Sequence, residues 1–268
     1  MYLAATIQYA ATSDEVENIA VATRLIKQAA SSGASLITTP EASNYLGPHK
    51  QKVAQATTLE GPVVAHFSQL ARKHGVHLLL GSFNEKSDDV RRCYNTSVLF
   101  GPDGDILGHY RKMHLFDANV PPTICFAESD TTKAGVEPIV VDTVLGNIGL
   151  SICYDLRFPE YYAKLVALGA EIIAVPAAFT MTTGKDHWHP LLRARAIETQ
   201  SYIIAPDQYG EHDDDGLRES YGHSMIVDPW GQVIAMVPNG QGVAIAPIDL
   251  ERVRSIRAAM PVHTHRRL

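Results

Sequence analysis

Two stretches far apart in the chain, NTSVLFGPDGDILG (95–108) and GHSMIVDPWGQVIA (222–235), run through the same order of residue types: an apolar triplet, an x-Pro-x-Gly turn and a second apolar run. Proline presets the backbone of a turn and glycine supplies the positive φ that turns demand, so each stretch reads as a β-hairpin and brings antiparallel pairing into whatever sheet contains it. Each hairpin also closes a series of strand–helix units. In the first series LAATIQYA is a strand, SDEVENIAVATRLIKQAASSG a helix capped by Ser13 and stopped by Gly33, SLITTPE a strand, GPVVAHFSQLARKHG a helix with Pro62 in its first turn, and VHLLLGSF a strand. In the second, IVVDTVLGNIGLSIC leads to a helix over 159–168, EIIAVPAA is a strand, HPLLRARAIETQ a helix with Leu191, Leu192 and Ala196 on its core face, and YIIAPDQYG a strand. Alternation of this kind predicts a layered α/β fold, and the echoed hairpins predict one domain over 1–268 built from two related halves.

Composition narrows the partners. At 268 residues with 46% hydrophobic content the chain can bury a full core. Its 23 basic and 29 acidic residues leave a formal charge of −6, with no dense Lys/Arg stripe apart from the HRRL tail. The electrostatic footprint of a nucleic-acid binder is missing, which points to a small-molecule partner. Cys93, Cys125 and Cys153 show no paired spacing and no C-x-x-C, so a reducing, cytoplasmic setting is expected rather than a disulfide framework. The opening MYLAATIQYA has no basic n-region, and no run approaches the roughly 20 apolar residues of a membrane span, so neither a targeting segment nor a membrane is expected.

Chemistry concentrates in GLSICYDLRFPEYY (149–162), where an apolar strand delivers Cys153 and then turns polar at once, with Pro159 placed for the first turn of a helix and Gly169 for its end. A cysteine at a strand end serves equally as a nucleophile or as an inert buried thiol. Glu41 after LITTP and Lys112 after a hairpin stand at two other strand ends, and each alone reads as a solvated residue. If the three ends converge, Glu41 takes the thiol proton, Lys112 stabilises the thiolate and a developing oxyanion, and Cys153 attacks a carbonyl or nitrile carbon: acyl transfer without a histidine. Competing motifs are weaker. GHSMI has Ile226 where a serine-hydrolase elbow needs glycine. His187 and His189 lie two apart and do not share a helix face, and DDDG lacks the alternating ligands of a calcium loop. No metal or cofactor is expected.

PEASNY around Glu41, YRKMHLFD around Lys112 and ICYDLRFPE around Cys153, in that order, resemble the nitrilase or carbon–nitrogen hydrolase superfamily, and the similarity extends over nearly the whole chain. The resemblance implies an α-β-β-α sandwich paired into a homodimer through the helical face that carries the cysteine segment. It implies a Glu41, Lys112, Cys153 triad assisted by Glu128 of CFAESDTTKAG, with an oxyanion hole made by the Lys112 side chain and the Tyr154 N–H. Asp155 and Arg157 read as a structural pair holding the polar turn. PAAFTMTTGKDHW, LLRARAIETQ, DQYGEH and RESYGHSMIVDPWG further resemble the branch of deaminated glutathione amidases. By that likeness Phe179, Thr180 and Thr183 lie near a small amide substrate bearing carboxylates, for which Lys185, His187, Arg193 and Arg195 are candidate partners. An ω-amidase acting on 2-oxoglutaramate or succinamate, and a binding protein on the same scaffold without turnover, are the alternatives.

Overall fold

The computed structural model describes residues 1–120, 124–213 and 218–267; the DDDG stretch (213–216) therefore lies, beyond Asp213, outside the described residues. The elements run β1 (Tyr2–Gln8), α1 (Glu15–Ser31), β2 (Ala34–Thr38), α2 (Pro62–His74), β3 (His77–Lys86), β4 (Cys93–Phe100), β5 (Ile106–Arg111), β6 (Asp117–Val120), β7 (Ile124–Ala127), β8 (Val140–Val141), β9 (Ile148–Leu150), α3 (Pro159–Ala167), β10 (Ile172–Ala174), α4 (Met181–Thr199), β11 (Tyr202–Ala205), β12 (Tyr209–Glu211), β13 (Glu219–Tyr221), β14 (Met225–Val227), β15 (Val233–Met236), β16 (Gly242–Ile248) and α5 (Leu250–Ala259).

Among the described residues these strands build two six-stranded sheets, in the orders β5-β4-β3-β2-β1-β16 and β15-β14-β11-β10-β9-β8. Read from the hairpin edge, both sheets pair antiparallel, antiparallel, parallel, parallel, antiparallel. The two hairpins with the x-Pro-x-Gly turn occupy equivalent edges, and their glycines, Gly104 at φ 81° and Gly231 at φ 83°, adopt the same left-handed backbone. The sequence echo is thus a repeat of architecture.

Strand alternation sorts side chains into two cores. Ala5, Ile37, Leu78, Leu80 and Val98 face α1 and α2, while Ala4, Leu36, Leu79 and Leu99 on the opposite face meet Leu150, Ile204 and Ile226 of the second sheet. Trp188, Leu192 and Ala196 of α4 extend that second core. The layers are therefore helix, sheet, sheet, helix, the α-β-β-α sandwich expected.

Two local expectations fail. The cap of α1 is Asp14, whose side chain accepts the Glu17 N–H; Ser13 instead hydrogen-bonds Asp213, its N–H donating at 2.6 Å. Helix α4 begins at Met181, well before His189, because Trp188, Leu192, Arg195 and Thr199 share one buried face at helical spacing and carry the helix through Pro190.

Candidate active site

Glu41 sits in the turn after β2, and β3 locks that turn. Ser43 N–H donates to the Ser82 carbonyl at 2.9 Å, Ala42 N–H to Ser82 Oγ at 2.8 Å, and Gln208 Nε2 to the Glu41 carbonyl at 2.8 Å. The approach needs Gly81: a Cβ there would stand 1.9 Å from the Thr39 oxygen and 2.3 Å from that of Pro40. Lys112 directly follows β5. Cys153 opens the 3₁₀ turn Cys153–Arg157 after β9, with its backbone at φ 48°, a left-handed conformation rare outside glycine, and its N–H spent on the Pro176 carbonyl at 2.8 Å.

The structure brings Glu41, Lys112, Glu128 and Cys153 together at the floor of one pocket, with 6%, 2%, 4% and 9% of their surface exposed. Lys112 Nζ donates to Glu41 Oε1 and to Glu128 Oε2, both at 2.9 Å. Asn95, which the sequence reading missed, bridges the same two carboxylates, its Nδ2 donating to Glu41 Oε1 at 2.8 Å and to Glu128 Oε1 at 3.3 Å. Ala178 N–H completes Glu41 through Oε2 at 2.9 Å, and Phe116 N–H completes Glu128 at 2.8 Å. One ammonium therefore stands between two carboxylates whose oxygens are held by fixed donors.

These contacts decide the charges. Burial works against the Lys112 ammonium, but Glu128 and Glu41 outweigh it and hold the group protonated well above the ordinary lysine range. Burial and the charge of Glu41 push the Cys153 thiol well above its usual value, and Lys112 offsets them only in part. The resting group is therefore a thiol that needs a base to activate it, the part the sequence reading gives to Glu41.

Burial alone would raise Glu128, yet the charges of Lys112 and Lys52 and the Phe116 N–H hold it at about 2. A carboxyl lower in the folded state than its ordinary 4.5 stabilises the fold above that value and loses the contribution as pH falls through 4.5 toward 2. The interval corresponds to about 3 kcal/mol. Urea denaturation between pH 7 and pH 2 is expected to show a stability loss in that window that Glu128→Gln lacks; identical pH dependence in both proteins would refute it.

Asp155 and Arg157 are not a pair. In a 3₁₀ turn residues two apart point to different sides. Asp155 turns inward, fully buried, where it accepts from Tyr110 Oη at 2.8 Å, Ile152 N–H at 2.8 Å and His114 N–H at 3.2 Å, with His114 Nδ1 at 2.7 Å. It thereby ties the segment carrying Lys112 to the turn carrying Cys153. Arg157 turns outward to line the pocket, 5.1 Å over the Phe179 ring and 5.8 Å over that of Tyr154, with Nη1 3.2 Å from His187 Nδ1.

Phe179, Thr180 and Thr183 line the pocket, the two threonine hydroxyls 2.8 Å apart and Phe179 N–H donating to Asp207 at 2.8 Å. None of the four expected carboxylate partners lines it: Arg193 Nε is spent on the Gly231 carbonyl, Arg195 Nε on that of Leu156, and Lys185 is exposed. His187, the fourth, braces Arg157 from behind. The lining cations beyond Lys112 are instead Lys52, Arg157 and Arg218, together with His49. Arg157 lies in the ICYDLRFPE motif, where it reads as structural, and the spacing of Lys52, Arg218 and His49 carries no periodic or motif signal that marks them. The pocket encloses about 760 Å³, its open mouth included.

Among the described residues no group of three or more His, Cys, Asp and Glu side chains is arranged to hold a metal ion, and no helix is long and apolar enough to cross a membrane. Ser224 of GHSMI is a buried structural group, its hydroxyl accepting from Asp207 N–H at 2.8 Å.

The carbon–nitrogen hydrolase family model matches residues 3–258. Among curated relatives, a deaminated glutathione amidase from Synechocystis sp. is 42% identical over 99% of this chain and 98% of its own. Another from Mus musculus is 42% identical over 99% of this chain and 83% of its own. Among solved structures, the Caenorhabditis elegans NitFhit protein superposes with a TM-score of 0.93 at 38% identity, covering 99% of this chain and 65% of that one.

Proposed function

The chain belongs to the carbon–nitrogen hydrolase family and is a hydrolase of C–N bonds, and on that premise we propose that it is a cysteine-dependent amidase of deaminated glutathione, working through a thioester. The observation that carries this reading is the buried cluster in which Glu41, Lys112, Glu128 and a protonated Cys153 meet beneath a pocket rimmed by cations.

Glu41 accepts the Cys153 proton as sulfur bonds to the amide carbon. The carbonyl oxygen, now an oxyanion, lies between the Lys112 ammonium and the Tyr154 N–H, the next amide of the 3₁₀ turn once Cys153 N–H is committed to Pro176 and Asp155 N–H to Ile152. Glu41 returns its proton to the departing nitrogen, the C–N bond breaks, and the amine leaves. A water then gives a proton to Glu41 and attacks the thioester; the C–S bond breaks, and the acid leaves as the thiol regains its proton. Glu128 and Asn95 keep Lys112 and Glu41 in register throughout.

For deaminated glutathione the acyl part is 2-oxoglutarate and the leaving group Cys-Gly. Arg157 at the rim suits a carboxylate on the acyl chain, with Phe179, Thr180 and Thr183 along its wall. We read the chain as one catalytic domain. Free Cys93, Cys125 and Cys153 support a cytoplasmic setting. Half-exposed Ile197 of α4, packed on Gly231, and half-exposed Trp230, the residue before that glycine, support a homodimer through that face.

The test is kcat/KM for deaminated glutathione and 2-oxoglutaramate measured side by side. Preference for the former supports the assignment. A tenfold preference for 2-oxoglutaramate, about 1.4 kcal/mol in transition-state binding, would make the protein an ω-amidase. Binding of both without turnover would make it an inactive scaffold.

A further inference from the structure

The rim of the pocket has two ends. At one, Arg157 lies only four residues after Cys153, on the same turn, against Tyr154 and Phe179. At the other, the Arg218 guanidinium lies 5.1 Å over the ring of Phe126 on β7, and His49 packs on that same ring at 4.7 Å with its Nε2 2.9 Å from Thr131 Oγ1. An arc of rings joins the ends: Phe126 meets Phe116 at 6.0 Å, and Phe116 meets Tyr154 at 5.1 Å. Among the described residues, the acidic side chains that line the pocket are Glu41 and Glu128, both on its floor and both hydrogen-bonded to Lys112.

A carboxylate on the acyl chain is confined near Cys153 by the short spacer between it and the carbon under attack, which suits Arg157. It does not reach the Arg218 end, which lies across the aromatic arc. What reaches there is the group on the other side of the scissile bond. An amide that releases ammonia has nothing to place there; one that releases a short peptide has a peptide plane to lie along the rings and a terminal carboxylate to meet a guanidinium. We propose that Arg218, His49 and Phe126 form a leaving-group subsite that binds the terminal carboxylate of a dipeptide-sized amine. This deepens the amidase reading and rests on it. The Phe126 ring backs the Arg218 guanidinium, so less side-chain entropy is lost when an anion binds there.

The test uses a matched pair of amides of 2-oxoglutarate whose dipeptide leaving group ends either in a free carboxylate or in a carboxamide. The wild-type protein is expected to favour the carboxylate form by tenfold or more in kcat/KM. Arg218→Gln should lose at least ten times more on the carboxylate form than on the carboxamide, with Arg218→Lys between, because a point charge replaces the planar fork. Equal losses on both amides, or no wild-type preference, would overturn the subsite. The same pair is titrated calorimetrically against the Cys153→Ala protein, where affinity is read without turnover. If the wild type hydrolyses neither amide, the amidase assignment fails, while the subsite still stands or falls on whether affinity for the carboxylate form exceeds that for the carboxamide and loses its excess in Cys153→Ala with Arg218→Gln.

Discussion

Replacing Cys153 with alanine is expected to lower kcat by on the order of 10⁵-fold or more, the scale reached when the nucleophile of an acyl-transfer site is removed. The floor of the pocket is otherwise left intact: Lys112 keeps both carboxylate partners, Glu41 keeps Asn95 and the Ala178 N–H, and Asp155 still pins the turn through Ile152. The variant should therefore fold, and acid-quenched mass spectrometry should find an acyl adduct on the wild-type protein and none on the variant. Because the backbone at position 153 is left-handed, Cys153→Gly should be more stable than Cys153→Ala by about 1 kcal/mol, glycine meeting that conformation without a Cβ clash. Residual turnover near the wild-type rate in either variant would move the nucleophile elsewhere.

The second large effect is expected at Lys112. Lys112→Met removes the cation hydrogen-bonded to both Glu41 and Glu128, so it strikes both rate and fold. Loss of an oxyanion partner costs about 3 kcal/mol, so kcat should fall a hundredfold or more with little change in KM. A normal kcat with a raised KM would make Lys112 a substrate anchor instead. Leaving two buried carboxylates without their partner should also destabilise the protein by about 3–5 kcal/mol at pH 7. Here the pH dependence reverses sign. Without Lys112 burial dominates at Glu128 and lifts its pKa, so lowering the pH toward 4 neutralises the orphaned charge and narrows the gap to wild type, which chemical denaturation at the two pH values measures.

Glu41, Lys112 and Cys153 could be singled out in the sequence because they sit where elements end, whereas their meeting, and Glu128 beside them, was implied only by the resemblance to the carbon–nitrogen hydrolases. Glu41 follows β2, Lys112 follows β5 and Cys153 follows β9, and strand ends can be read from apolar periodicity. The repeat was legible for a similar reason: proline and glycine mark turns whatever surrounds them. Asp155 and Arg157 were misread because a 3₁₀ turn offers no periodicity long enough to show which side chain points inward. Lys52, Arg157 and Arg218 reach the rim from the loop after Glu41, the cysteine turn and the segment before β13, and only the three-dimensional path of those segments brings them together. Arg193 and Arg195 looked suited to a carboxylate, yet the helix turns them onto backbone carbonyls. That burial and Glu41 push the Cys153 thiol further up was also beyond the sequence, since it depends on how completely water is excluded.

The closing strand of the first sheet has a consequence for how the chain comes into being. β1 pairs along its whole length with β16, Tyr2 opposite Ile248 and Gln8 opposite Gly242, whereas the second sheet draws all its strands from residues 140–236. A ribosome adding about 5–20 residues per second needs on the order of tens of seconds to pass from one end of that ladder to the other. For that interval the first strand is a half-satisfied edge offering a row of bare amides and carbonyls to any neighbour, nascent or finished. The later-made half can complete itself first, and the earlier-made half must wait for the last strand to arrive.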